Sequence, residues 1–325
     1  MDIKYSLSLL VIYIFILAFY AFYLFKKNAF KMNAEPLTSQ HLFWAAIIIP
    51  FSAFLIIGII CWYGKSIRLD STGFDNFLSI SKLPLALLSL SLPLGVVVNN
   101  VHRTIQTDKQ IKEAERKNKT DGFYSHRKNT IEVFENLPFR SFEMAGETYK
   151  IAFENNYATY RYCYPYASTV NNFFKASENF TGRTKNLWLS LNEKIQNPEN
   201  ANIDELYKYI SSIENLLIQI HYILMFKPFE NKEYYTDHYF DEYSALKIFR
   251  TRFKDEWDLK KAILAYWNAF LLVLQCLEIE YDSEFMNQVV TVEHYSLNSE
   301  VKLPSWNILP LAPGSYAGIY EAQEE

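Results

Sequence analysis

The sequence predicts a mainly α-helical membrane protein: three N-terminal transmembrane helices followed by a helical-bundle domain in the cytoplasm. Three observations predict it. Three hydrophobic runs lie within the first 101 residues, basic residues follow the first and third of them, and two later segments repeat apolar residues at alternating steps of three and four. The mean hydropathy of the whole chain, −0.09, resembles that of a soluble protein only because it averages two unlike parts. Residues 1–101 form the transmembrane region and carry 7 basic and 4 acidic side chains, against 25 and 32 in the rest.

The first run, residues 6–25, has no charge over 20 positions. At about 1.5 Å per residue this covers roughly 30 Å, the thickness of a bilayer's hydrocarbon core. A cleaved signal peptide is the competing reading. The length of the run, and the lack of a small-x-small site before Lys26-Lys27, favour an uncleaved anchor. The second run, residues 42–64, is also uncharged, with Trp44, Trp62 and Tyr63 near its ends, where amphipathic rings favour the membrane–water interface. Pro50 inside it is tolerable in a spanning helix.

The third run, residues 83–101, contains Pro84 and Pro93 and ends in Asn99-Asn100, so it reads either as a span or as a re-entrant or interfacial segment. Charge placement favours the span. Lys26, Lys27 and Lys31 follow the first run, and Arg103, Lys109, Lys112, Arg116, Lys117 and Lys119 follow the third; only Lys4, Lys65, Arg68 and Lys82 fall on the other side. The positive-inside rule is met if all three runs cross, with the N-terminus outside and the large domain inside. Ser89, Ser91 and Asn99 are candidate pore-lining residues of this third span. The competing reading is that small residues there serve helix packing.

Residues 102–122 form a charged helical stalk with sparse apolar positions, punctuated by Gly122. Residues 123–282 form the helical cytoplasmic domain. Its first helix is expected over 123–137, with Phe123, Ile131, Phe134 and Leu137 on one face and Pro138 ending it. Tyr124, His126 and Arg127, immediately after the stalk, are candidates for coupling the membrane region to the domain. The alternative is that Tyr124 packs while the other two are solvated.

Five tyrosines crowd residues 157–166, and Tyr and Phe together number 49 in the chain. Interleaved aromatics can stack on nucleic-acid bases. From Asn129 onward, however, 17 basic residues face 28 acidic ones, and no direct nucleic-acid binding is expected of so acidic a domain. A buried aromatic core is the better reading.

Two helices are well specified. Over 203–227, Ile203, Leu206, Ile210, Ile213, Leu217, Ile220 and Leu224 form a heptad seam, with Asn202 and Glu205 as a capping box and Pro228 as the stop. Over 259–277, Leu259, Ile263, Tyr266, Phe270, Val273 and Leu277 repeat the pattern, with Asp258 as the expected N-cap. Packing of the two seams against each other in an antiparallel bundle is expected, with a homo-oligomer contact as the alternative. Residues 283–325 read as a mostly irregular tail, with a short strand near MNQVVTVEHY.

The chain contains no phosphate-binding glycine loop, no dinucleotide fingerprint and no zinc-helix motif, and its three cysteines are widely spaced. No catalytic, cofactor-binding or metal-ligating residue is assigned, and an enzyme is not expected.

Residues 84–137 run PLALLSLSLPLGVVVNN, VHRTIQT, a Lys/Glu-rich stalk, then FYSHRKNTIEVFENL. This order resembles the transmembrane effectors that accompany retrons in bacterial phage defence. The extra first hydrophobic run departs from the two spans of such effectors. The resemblance implies a toxin effector of the bacterial inner membrane, acting in antiviral defence by abortive infection. A reverse transcriptase with its RNA–DNA product would hold it silent, and once released it would disrupt membrane integrity. Two other classes compete: a membrane-anchored adaptor or scaffold, and a channel or transporter subunit.

Overall fold

The computed structural model describes residues 3–199, 201–280, 283–306 and 309–321. The chain divides into two compact units, Met1–Asn118 and Lys119–Glu325.

In the first unit, α1 (Ile3–Lys26) and α2 (His41–Trp62) are joined through a single 3-10 turn at Leu37–Ser39. Both are long and apolar enough to cross a membrane. Their packing is light. Leu24, Ala29 and Ala45 form a small buried cluster, and the Tyr13 hydroxyl lies 2.9 Å from Ser52 Oγ. Most of the large apolar side chains of α1 stay exposed, including Phe15, Phe19 and Phe22. Surfaces of this kind are a liability in water and ordinary in lipid.

The third run does not form one helix. α3 (Ser71–Ser89) begins a dozen residues before it, and α4 (Ser91–Asn136) begins inside it, separated by a turn at Leu90. Pro93 supplies the reason: it has no N–H to donate to the Ser89 carbonyl, so the ladder lapses for one residue. The two together still make the third stretch apolar enough to span.

Two contacts register this stretch against α2. Trp62, at the end of α2, donates its ring N–H to Ser81 Oγ at 2.8 Å. At the other end, His102 Nε2 lies 2.6 Å from the Glu35 carbonyl, which also accepts from Gln40, the residue before α2. From Ser81 to His102 is the same number of residues as from His41 to Trp62. Each run rises roughly 30 Å, so they lie antiparallel and matched in length.

The expected stalk and first domain helix are also one element. α4 continues without a break through Gly122 and ends at Asn136, just before Leu137-Pro138. A mid-helix glycine costs about 1 kcal/mol but does not stop a helix. Here it makes room, because a Cβ at position 122 would lie 2.9 Å from Asn172 Nδ2.

The second unit is helical with a sheet, rather than a pure bundle. A hairpin of β1 (Ser141–Met144) and β2 (Glu147–Lys150) is followed by α5 (Asn156–Cys163), α6 (Glu178–Gln196) and α7 (Ile203–Ile223). Next come β3 (Glu233–Phe240), β4 (Leu246–Thr251), α8 (Glu256–Cys276), α9 (Ser283–Gln288), α10 (Val290–Leu297), β5 (Leu311–Pro313) and β6 (Gly318–Glu321). The antiparallel sheet has the order β5-β3-β4-β6.

Both predicted seams are core. Apart from Ile203, which is half exposed, every seam residue on α7 and α8 is buried. They do not pair as a simple bundle: α7 packs chiefly on α6 and the sheet, and α8 on α10 and β1. Asn202 caps α7 as expected, accepting from Glu205 N at 2.8 Å, while Glu205 reaches back to Ala201 N. The cap of α8 is Asp255, which accepts from Asp258 N, so Asp258 lies in the first turn and not at the cap. Both helices end with a residue in the left-handed region, Met225 and Glu278, and with the paired carbonyl bonds of a Schellman turn.

The tail is only partly irregular: among its described residues, 298–306, 309–310 and 314–317 lie outside any helix or strand. Residues 283–297 are two helices where a strand was expected, and β5 and β6 supply both outer strands of the sheet. A buried polar clamp, described below, explains the order.

Candidate functional site

Ser89, Ser91 and Asn99 do not form one polar stripe. Ser89 Oγ donates to the Ala86 carbonyl within α3 and Ser91 Oγ to the Leu88 carbonyl across the Leu90 turn, both at 2.8 Å, so each hydroxyl proton is used by nearby backbone. Ser89 lies before the Leu90 turn. Ser91 and Asn99, eight residues apart at about 100° per residue, differ by roughly 80° around α4.

Tyr124, His126 and Arg127 are built into an aromatic cluster. Phe123 and Phe134 are the buried positions that hold the last turns of α4 to the domain core. His126, between them, stacks on Phe174 with ring centres 4.1 Å apart, meets Tyr164 edge-on at 4.8 Å, and places Nδ1 3.1 Å from the Tyr160 hydroxyl. Burial lowers the His126 pKa from its ordinary value, opposed by the Glu278 carboxylate, so the ring is neutral at neutral pH. Arg127 points away from this cage and sits over three rings, Phe123, Tyr124 and Tyr157, at 4.9–5.6 Å. Each such cation–π contact contributes about 0.5–1 kcal/mol where solvent reaches it. Arg127 also lines an open groove with Lys128, Ile131, Glu132, Glu135, Asn136 and Tyr157. Tyr124 itself is exposed on one face. His126 is thus held within the ring cluster, while Arg127 combines its ring contacts with a side that opens on the groove.

Sequence reading missed the buried charges. Glu214 on α7 is fully enclosed; it accepts from Thr251 Oγ1 at 2.7 Å and pairs with Arg252 at 3.3 Å, while Arg252 reaches the Tyr234 hydroxyl. Glu256 and Lys260, one turn apart on α8, hold the segment 298–303. His221 Nδ1 lies 2.9 Å from the Tyr266 hydroxyl, and burial lowers the His221 pKa to about 4. A polar residue inside an apolar seam was the one available signal: Glu214 follows Ile213 directly, and Lys260 follows Leu259. These groups pair among themselves, as buried structural charges do. Among the described residues, no group of three or more His, Cys, Asp or Glu could hold a metal. No family model, curated protein or solved structure matches the chain.

Proposed function

We propose that this chain is a membrane effector of a bacterial defence system, seated in the inner membrane with its large domain in the cytoplasm. A partner would hold it silent, and its release would disrupt membrane integrity. A reverse transcriptase with its RNA–DNA product is the partner that the resemblance of residues 84–137 suggests.

The observation that carries the reading is the continuity of α4. One helix holds the end of the third apolar run and, more than twenty residues on, the ring contacts of His126 and Arg127. Rearrangement of the aromatic cluster would act directly on the helix that ends in the bilayer. Support for the orientation comes from charge placement and from the His102–Glu35 contact, which groups the basic residues after α1 with those after the third run. Homo-oligomers would be required to enclose a lumen, since three helices leave little room within one copy.

The test is a voltage-sensitive dye on cells expressing the chain without partners. Beside it stand a version lacking residues 1–101 and one with a Gly-Ser-Gly-Ser insertion after Lys112, which interrupts α4. The full chain should collapse the potential and stop growth, and the other two should not. Normal potential and growth with abundant full-length protein would refute the effector reading and leave the membrane-anchored adaptor ahead.

A further inference from the structure

We infer that α4 pairs with α4 of a second copy of this chain along the face of Asn100, Thr104, Thr107, Ile111, Ala114 and Asn118. These positions follow one another at alternating steps of four and three, the spacing of a two-stranded coiled-coil seam. All of them are exposed, Ile111 by 52%. The opposite face of the same stretch is already in use. Val98 and His102 are buried there, and His102 meets the Glu35 carbonyl. Ile111 lies nine residues beyond His102, half a turn round the helix at about 100° per residue. Along the seam runs an open groove lined by Asn100, Arg103, Thr104, Thr107, Asp108 and Ile111. The Asn100 side-chain amide, at the end of the third apolar run, has no hydrogen-bond partner among the described residues.

Charge selects the occupant. Copies held in one bilayer stand parallel and at one level, so each seam residue meets its own counterpart across a two-fold axis. Uncharged residues tolerate that meeting, and every seam position from Asn100 to Asn118 is uncharged. The next position in the repeat is Asp121, which would repel its own copy, so the seam ends there. The two flanks of the seam differ in sign: one carries Arg103 and Lys117, the other Asp108 and Glu115. In two parallel helices each flank meets the opposite flank of the partner, so these charges attract. Arg103 has no carboxylate partner among the described residues, and Asp108 pairs with Lys112 at 2.7 Å in an exposed contact that a second cation can share. The side turned away from the seam carries Lys109, Lys112, Arg116 and Lys119 and would repel itself.

Threonine, alanine and asparagine bury little apolar area, so such a seam is weak in free solution. Confinement to a membrane raises the effective concentration of the second helix and offsets that weakness. The inference deepens the proposed function, which calls for several copies, and rests on it for the parallel setting that a shared membrane imposes. Contact between copies is read apart from any membrane potential. A chain that pairs through the seam without depolarising cells would refute the effector reading and leave the seam standing.

The experiment uses the full-length protein in vesicles of phosphatidylethanolamine and phosphatidylglycerol, diluted in lipid until chains rarely meet by chance. A benzophenone side chain replaces one residue at a time: Thr107 or Ile111 on the seam, Lys109 or Glu113 on the side turned away. Illumination should give covalent dimers from the seam positions at about tenfold or more the yield from the other two, because only seam side chains lie between paired helices. Arg103→Asp should lower the dimer yield from position 107 by about threefold or more, the effect of losing two exposed charge pairs. Adding Asp108→Lys should restore the yield, since the exchanged flanks attract again. Equal yields from both sides of the helix, lipid adducts without dimers at the seam, or a double variant that stays as low as Arg103→Asp would each overturn the pairing.

Discussion

Glu256 and Lys260 lie one turn apart on α8, their charged groups 3.1 Å from each other and each side chain 1% exposed, and they hold one stretch of backbone, the first by its amides and the second by its carbonyls. Glu256 Oε2 accepts from Lys302 N at 2.7 Å and Leu303 N at 2.6 Å; Lys260 Nζ donates to the Asn298 and Glu300 carbonyls and lies over the Tyr295 ring. Removing one partner strands the other charge in the interior, at a cost of about 3–5 kcal/mol. Glu256→Gln should lower the midpoint of urea unfolding accordingly and open the chain to trypsin at Lys302. Replacing both by leucine should cost less than Glu256→Gln alone. An unchanged midpoint and cleavage rate would show that the clamp does not order the tail.

The α7 seam should be graded by burial. Leu217 is 2% exposed and Ile203 is 49% exposed on the same helix face. Leu217→Ala should destabilise by about 2–5 kcal/mol and Leu217→Asp by more, because a carboxylate there has no partner. Ile203→Ala should change stability by less than about 1 kcal/mol. Equal effects at the two positions, read by thermal unfolding of the full chain, would contradict the packing described.

His221 should make stability fall as acid is added. Its folded pKa is depressed to about 4 by burial, below the ordinary 6.5 of the unfolded chain. The unfolded state therefore binds the extra proton between pH 6.5 and 4, and stability declines through that window by on the order of 3 kcal/mol. Glu214, whose pKa burial raises, acts with the opposite sign, so the quantity to read is a difference. His221→Gln keeps a partner for Tyr266 and should flatten the unfolding midpoint between pH 6.5 and 4.5 relative to the unaltered protein. Parallel pH profiles would show that His221 is not the titrating group.

Topology is tested with single cysteines in a chain whose Cys61, Cys163 and Cys276 are replaced by serine. Positions 31 and 103 should react with a membrane-impermeant thiol reagent from one side, and position 68 from the other. That outcome follows if α2 and the stretch from Ser81 to His102 cross together. Labelling of all three positions from one side would mean that the third stretch is re-entrant.

The long helices and their seams were legible because helical periodicity is local, whereas the strands and the two helices of 283–297 were not. The apolar runs at 6–25 and 42–64 and the repeats from Leu206 and Leu259 needed only the spacing of side chains along a helix. The caps were partly legible: Asn202 stands immediately before its seam, whereas Asp255 and Asp258 both suit the start of α8, and only the turn actually formed separates them. The continuity of α4 was hidden because Gly122 looks like a boundary, and it is Asn172, fifty positions away in sequence, that gives the missing Cβ its purpose.

What the sequence determined by itself, then, was which segments are apolar enough for a membrane, which helices must bury a stripe, and which end of the chain is acidic. What only the tertiary structure decided was pairing: that Trp62 meets Ser81 and His102 meets Glu35, that His126 is caged by Tyr160, Tyr164 and Phe174, and that a tail rich in proline completes a sheet. The physical reason is range. Propensity and periodicity act over one or two turns, whereas the backbone that buries Glu256 and Lys260, or the strand that an edge such as β5 pairs with, lies some forty to eighty residues away, and no local pattern records its approach.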